Sequence, residues 1–240
     1  MTGIATRDHT RNTMRGPRIR VVVIVIAGAW LACATAYGAT AAGRFTLIHK
    51  SDLNVTEGTI SSAGPHALLR TRDPAMRAEV LDGGHHATAA RLWFRYLGES
   101  TTTKPLGSGQ IRRQIGLKLR SSDPCNLLYV MWHAYPDDAI EVQVKRNPGE
   151  STSSECGNHG YTTVATIQLR SGDGTGDHTA HRLEAHTRRT ANGALALRVY
   201  TDGTLLRRFR LSHSLTAGLN GPIGIRSDNG DYLFRLKSAR

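Results

Sequence analysis

The sequence predicts an all-β fold: an antiparallel jelly-roll β-sandwich over residues 42–240, preceded by an N-terminal hydrophobic signal or anchor helix over residues 1–41. Three observations lead there. Alternation of apolar and polar residues with a period of two recurs after Gly43, while helical periodicity is nearly absent. Gly, Asn, Asp, Pro and Ser punctuate the alternating runs at short intervals, as the turns of a sandwich require. The start of the chain follows another rule, with a basic head, an apolar run and a small-residue tail in that order.

In the leader, Arg11, Arg15, Arg18 and Arg20 form the head, Val21 to Trp30 (VVVIVIAGAW) the apolar run, and Ala32 to Gly43 the tail. Ala39-Thr40-Ala41 and Ala34-Thr35-Ala36 both offer an A-x-A cleavage site, and the shortness of the apolar run favours cleavage over retention as a membrane anchor. Either way the rest of the chain is expected to cross the membrane, secreted or held at the cell envelope, and to touch the membrane only through this segment. Cys33 belongs to the leader rather than to a lipoprotein site.

Arg44–His49 and Ala67–Thr71 read as short strands. Asp73–Leu81 (DPAMRAEVL) is the one helix expected, with Asp73 as its cap and Pro74 at its first position. Strands follow at Arg91–Leu97, Gln110–Arg120, Asn126–Ala134, Ala139–Arg146, Thr162–Arg170 and Arg182–Thr187. Ala194–Thr201 and Thr204–Leu211 form a hairpin across Asp202-Gly203, a pair of residues that tolerates the positive φ angles of a tight turn. Pro222–Arg226 and Asp231–Lys237 are expected to close the chain as a second pair.

Cys125 and Cys156 are the only cysteines after the leader, and export would place them in an oxidising compartment, so they are expected to pair. The loop they close is worth roughly 3 to 4 kcal/mol in the chain-entropy model. No cofactor is expected. Three cysteines exclude a four-thiolate zinc site, and His85-His86 in a glycine loop reads as exposed. Asp173 with Asp177, or Asp228, Asn229 and Asp231, could hold structural calcium, but turn chemistry accounts for both groups.

The formal charge is +12. The leader holds five Arg and one Asp, which leaves 26 basic and 18 acidic residues in the domain. No helix-turn-helix, RNA-binding or zinc-finger pattern appears, and export argues against nucleic acid. An acidic polysaccharide or other cell-envelope polymer is the electrostatic partner to expect.

Parity in the middle strands locates a candidate site. Ile115, Leu117 and Leu119 alternate with Gln114, Lys118 and Arg120, and Ile140, Val142 and Val144 alternate with Glu141, Gln143 and Lys145. Asn126–Ala134 is apolar on both faces, as a central strand should be, with Tyr129, Met131 and His133 on one parity. In Arg91–Leu97, Trp93 and Arg95 oppose Leu92, Phe94 and Tyr96. If these strands are neighbours, one exposed face collects Trp93, Arg95, Gln114, Lys118, Tyr129, His133, Glu141, Gln143 and Lys145. Aromatic plates among amides, cations and a carboxylate suit sugar rings and their hydroxyls.

The tail ANGALALRVYTDGTLLRRFRL followed by GPIGIRSDNGDYLFRL resembles the closing strands of concanavalin A-like lectin/glucanase domains, through Val199-Tyr200-Thr201-Asp202-Gly203 and Gly221 to Asp228. A fainter likeness to alginate-lyase-type polysaccharide lyases runs through Arg113-Gln114-Ile115 and Trp132-His133, the latter similar to an element whose His is catalytic. The resemblance implies a carbohydrate-binding jelly roll. In a lyase reading, His133 would be the base and Tyr129 the acid, with Arg95 or Lys118 on a uronate carboxylate. The lyase family's C-terminal Tyr is missing from Ile223-Gly224-Ile225-Arg226-Ser227, which favours binding over catalysis. For a glycoside hydrolase, Asp137, Asp138 and Glu141 are the carboxylates on offer, and the first two read as turn residues. A structural envelope protein is the third alternative.

Overall fold

A computed structural model describes residues 44–81, 87–170 and 178–240. The leader, His85-His86 and the Asp173/Asp177 segment lie outside the described residues. In chain order the strands are β1 (Thr46–Ile48), β2 (Leu53–Glu57), β3 (Ser61–Gly64), β4 (Leu68–Thr71), β5 (Ala75–Val80), β6 (Ala89–Glu99), β7 (Arg113–Asp123), β8 (Asn126–Tyr135), β9 (Ala139–Arg146), β10 (Tyr161–Gln168), β11 (Ala180–Arg189), β12 (Leu195–Thr201), β13 (Thr204–Leu211), β14 (Gly224–Asp228) and β15 (Gly230–Ala239). Two single α-helical turns, α1 (Ser153–Cys156) and α2 (His213–Thr216), and a 3-10 turn at Lys50–Asp52 complete them. Among the described residues no helix is long and apolar enough to cross a membrane.

The strands form two antiparallel sheets. The first runs β13-β12-β11-β6-β15-β4-β3, with β1 also paired to β15. The second runs β10-β9-β8-β7-β14-β5-β2. Between them lies one core, to which the first sheet gives Leu92, Phe94, Leu183, Leu197, Tyr232 and Phe234, and the second Met76, Ile115, Leu128, Trp132, Val142 and Ile225. Trp132 meets Phe94 edge-to-face at 5.3 Å between ring centroids, one of the contacts that locks the sheets together.

The expected hairpin forms as the turn chemistry requires. Thr201 pairs with Thr204, and Asp202 and Gly203 take φ of +49° and +89° between them. The central position of β8 between β7 and β9 also follows the expected alternation. Two expectations need correction. Asp73–Leu81 holds a strand, β5, instead of a helix. Met76, Ala78 and Val80 alternate into the core while Arg77 and Glu79 turn away, and β14 and β2 pair with its two edges. Cross-strand packing on both sides outweighs a cap and a proline. The last two strands do not pair with each other. β14 ends at Asp228 in one sheet and β15 begins at Gly230 in the other, so the chain changes sheet at Asn229, whose φ is +54°.

One glycine serves a close approach. Gly116, in the middle of β7, faces away from the core with Met131 directly opposite. A Cβ there would lie 2.6 Å from Met131 Cα and 2.8 Å from its sulfur, besides colliding with the Val130 carbonyl. Gly116→Val should therefore lower stability by about 1–3 kcal/mol through overpacking, seen as a lower midpoint in urea unfolding at unchanged slope. An unchanged midpoint would contradict the close packing.

A roofed cationic cleft as candidate functional site

The face of the second sheet that points away from the core is built by register. Rows run across it: Gln143, Tyr129 and Lys118, then Glu141, Met131, Gly116, Arg226 and Arg77, then His133, Gln114 and Asp228. Alternation in β5, β7, β8, β9 and β14 therefore delivers a polar layer behind an apolar core. The expected neighbours Gln114, Lys118, Tyr129, His133, Glu141, Gln143 and Lys145 do share this face. Trp93 and Arg95 do not. They sit on β6, which pairs with β11 and β15 in the other sheet, and their side chains point to that sheet's outer surface. Parity reveals which residues of one strand share a face, but not which strands share a sheet.

A second correction concerns exposure. The face is covered rather than open: Gln114, Lys118, Tyr129, His133, Glu141 and Lys145 are all buried. Two loops roof it. One spans residues 100–112, the other 147–160, and they meet where Gly107 lies against the Asn158 carboxamide, leaving no room for a Cβ. Under the roof is a cavity of about 540 Å³, floored by Arg77, Lys118, Tyr129, Lys145, Arg226 and Asp228.

Each loop is fastened from below. Asn229 is fully buried. Its carboxamide oxygen accepts from Lys104 N at 2.7 Å, and its Nδ2 donates to the carbonyls of Lys104 at 2.9 Å and Arg112 at 3.2 Å. The residue at the sheet crossing thus pins both stems of the first loop. The second loop is held by the Cys125–Cys156 disulfide, with a Cα separation of 5.8 Å, and by Lys145, whose Nζ donates to the Gly157 carbonyl at 2.8 Å.

The floor is an ordered charge network. Asp228 accepts from Arg77 Nη2 at 2.7 Å, Arg226 Nε at 2.8 Å and Gln114 Nε2 at 2.7 Å. Burial alone would raise its carboxyl, but the guanidiniums of Arg226 and Arg77 outweigh that and hold it at about 2. Lys118 pairs with Glu79 at 2.5 Å, and burial lowers its ammonium below the usual range despite that partner. Lys145 differs. Among the described residues its ammonium meets a carbonyl, the Cys156 sulfur at 3.1 Å and the Tyr161 ring at 5.1 Å, with no carboxylate in salt-bridge range, and burial lowers its pKa as well. Arg226 also reaches the Tyr161 hydroxyl at 3.4 Å and lies 5.0 Å from the Tyr129 ring centroid. Tyr129 and Tyr161 stack with an interplanar angle of 17°. Burial raises the Tyr161 phenol, so it is protonated and a donor near neutral pH.

His133 sits apart. Its Nε2 is 2.9 Å from Glu141 Oε2, which Arg112 also contacts, in a separate recess of about 110 Å³ beside Asp137 and Gln168. Burial works against the Glu141 carboxylate, yet the His133 hydrogen bond and Arg112 keep its pKa low. Tyr129 and His133 are four residues apart on one strand, roughly 13 Å, with Met131 between them, too far to bracket a single scissile bond. Gln143 bonds Glu141 and Thr163. Asp228, Asn229 and Asp231 diverge, the last pairing with Arg70, and no group of three or more His, Cys, Asp or Glu among the described residues is placed to hold a metal ion.

Arg77, Arg226, Tyr161 and Lys104 line the cavity but are not among the site residues expected from sequence, and Asp228, which also lines it, is expected there only as a candidate calcium ligand. Arg226 and Asp228 carried a usable signal, since they alternate with Ile223 and Ile225 and so must face away from the core. Arg77 was hidden by the helix expectation.

No family model matches the chain, and no curated protein does. Solved structures similar to it include the carbohydrate recognition domain of Emp46p in its metal-free form, at 10% identity over 79% of this chain and 88% of that one, with a TM-score of 0.49. A lectin from Bauhinia forficata in complex with GalNAc gives 11% identity over 82% and 98%, with a TM-score of 0.44. A GH43 protein from Bacillus licheniformis gives 13% identity over 81% and 38%, with a TM-score of 0.45.

Proposed function

We propose that the chain is an exported carbohydrate-binding jelly-roll domain that takes an acidic sugar residue of a polysaccharide into the roofed cleft. The observation that carries this reading is the Lys145 ammonium, which is held beside Tyr161 with no carboxylate partner among the described residues. Taking a charge out of water is costly unless a counter-charge arrives, and a ligand carboxylate or sulfate supplies one. Arg226 adds a guanidinium beside two tyrosine rings, a setting for a sugar that carries both an acid group and hydroxyls. The leader and the Cys125–Cys156 disulfide support export.

Titration calorimetry with uronate oligosaccharides tests the reading. Lys145→Ala should weaken binding by about tenfold or more, the scale of one charge-assisted hydrogen bond in a covered site. Added salt should weaken the wild type more than the variant. No binding of any uronate or sulfated oligosaccharide by the wild type would overturn the proposal. Absorbance from an unsaturated uronate product, lost in His133→Ala, would support the lyase alternative instead.

A further inference from the structure

The outer surface of the first sheet, on the far side of the core from the cleft, holds an arrangement that folding alone does not favour. Arg198 on β12 is directly opposite Arg208 on β13, and its neighbour on β11 is His186. One row further on, Ala196 separates Arg188 on β11 from Arg210 on β13. All four arginines are exposed, and among the described residues none of them makes an ion pair or a side-chain hydrogen bond. The nearest carboxylate on that face, Glu184, is engaged by Arg91 and His186. Like charges directly opposite one another destabilise a sheet, and a small alanine in the centre leaves the guanidiniums room to converge.

We infer that the outer face of β11–β13 is a second binding surface, for a linear polyanion carrying closely spaced phosphate or sulfate groups. Three strands at about 4.8 Å spacing make a band roughly 10 Å wide, the width of one polymer chain rather than of a membrane plane. Toward the middle of the sheet, Glu184 and Asp231 pair with Arg91 and Arg70, while Arg95, Arg235 and Lys237 stand there without a carboxylate among the described residues, so the four arginines of the band are the densest part of a cationic face. All four cations are arginines, whose planar forks grip tetrahedral oxyanions through two hydrogen bonds at once. Charges near a free edge strand such as β13 also deter aggregation, and the experiment separates that role from binding.

Affinity of the full chain for polyphosphate and for dextran sulfate is measured alongside its melting temperature. Arg198→Glu should weaken both affinities at least about tenfold more than Lys50→Glu, an equal charge change at a distant exposed site. Its melting temperature should be no lower than wild type, because the introduced carboxylate would face Arg208 as a counter-ion. Lys145→Ala, in the cleft, should lower the polyphosphate affinity far less than Arg198→Glu does, because polyphosphate carries no sugar for the cleft to hold. Equal losses in Arg198→Glu and Lys50→Glu would reduce the effect to net charge and overturn the inference. Loss in Lys145→Ala with none in Arg198→Glu would put the polymer in the cleft, overturning this inference while leaving the cleft reading intact. Unchanged polymer affinity, with release of Arg198→Glu from phosphatidylglycerol vesicles that retain the wild type, would assign a membrane partner and overturn it too.

Discussion

Asp228→Asn should destabilise the domain by about 3–5 kcal/mol at neutral pH, the cost of leaving the buried Arg226 guanidinium without its counter-charge and Arg77 with only the distant Glu57. Asp228 is 1% exposed and is the carboxylate on which Arg77 and Arg226 converge, while Gln114 donates to the same group. An amide offers one acceptor oxygen and turns donors toward donors. The loss should depend on pH in a defined direction. The folded-state carboxyl titrates at about 2, below the ~3.9 of an unfolded aspartate. Its ionisation therefore contributes stability that is fully present above about pH 4 and lost as the pH falls toward 2, on the order of 2 kcal/mol. Wild type and Asp228→Asn should differ most in urea midpoint near pH 7 and converge toward pH 2. A constant difference between pH 7 and pH 2 would mean that the charge on Asp228 is irrelevant to the fold.

The second large effect should come from the disulfide. Cys125 and Cys156 are 31 residues apart in sequence, and the bond joins the β8 end of the floor to the roof. Cys156→Ala should cost roughly 3–4 kcal/mol by freeing that loop in the unfolded chain. It should also cost binding. Without the bond, α1 and Gly157 lose their anchor above Lys145, and the ammonium loses its sulfur contact. The expected result is a lower melting temperature together with weaker uronate affinity, measured well below the variant's melting point. Full affinity in the less stable variant would exclude the second loop from the binding site.

Much of this fold could be read from residue alternation because alternation is local. The β12–β13 hairpin followed from Asp202-Gly203, and β8 announced itself as central by being apolar on both faces. The disulfide followed from there being only two cysteines after residue 41. What escaped was decided by distant partners. DPAMRAEVL carries a helix start in its first two residues, yet β14 and β2 claim both its edges, and no local pattern contains those strands. Trp93 has the alternation of a site residue, but sheet membership depends on β6 pairing with β11 and β15, about 90 and 140 residues further along the chain. The cover over the face was illegible for a related reason. Loop residues such as Lys104 and Gly107 show no periodicity, and their place is set by a single buried asparagine more than a hundred positions away.

That asparagine has a consequence for the timing of recognition. Because Asn229 ties the first loop to the crossing between the sheets, and the disulfide ties the second, the vault over the cleft is assembled when the chain folds, not when a ligand arrives. The conformational entropy of ordering it has already been lost, so in the proposed reading each contact to a ligand would contribute more fully to affinity. The same rigidity removes the option of closing down on a polymer from above. If the proposed reading holds, a sugar chain would have to enter by its end or slide in from the side, so association should be slow relative to diffusion, and a captured segment should be slow to leave.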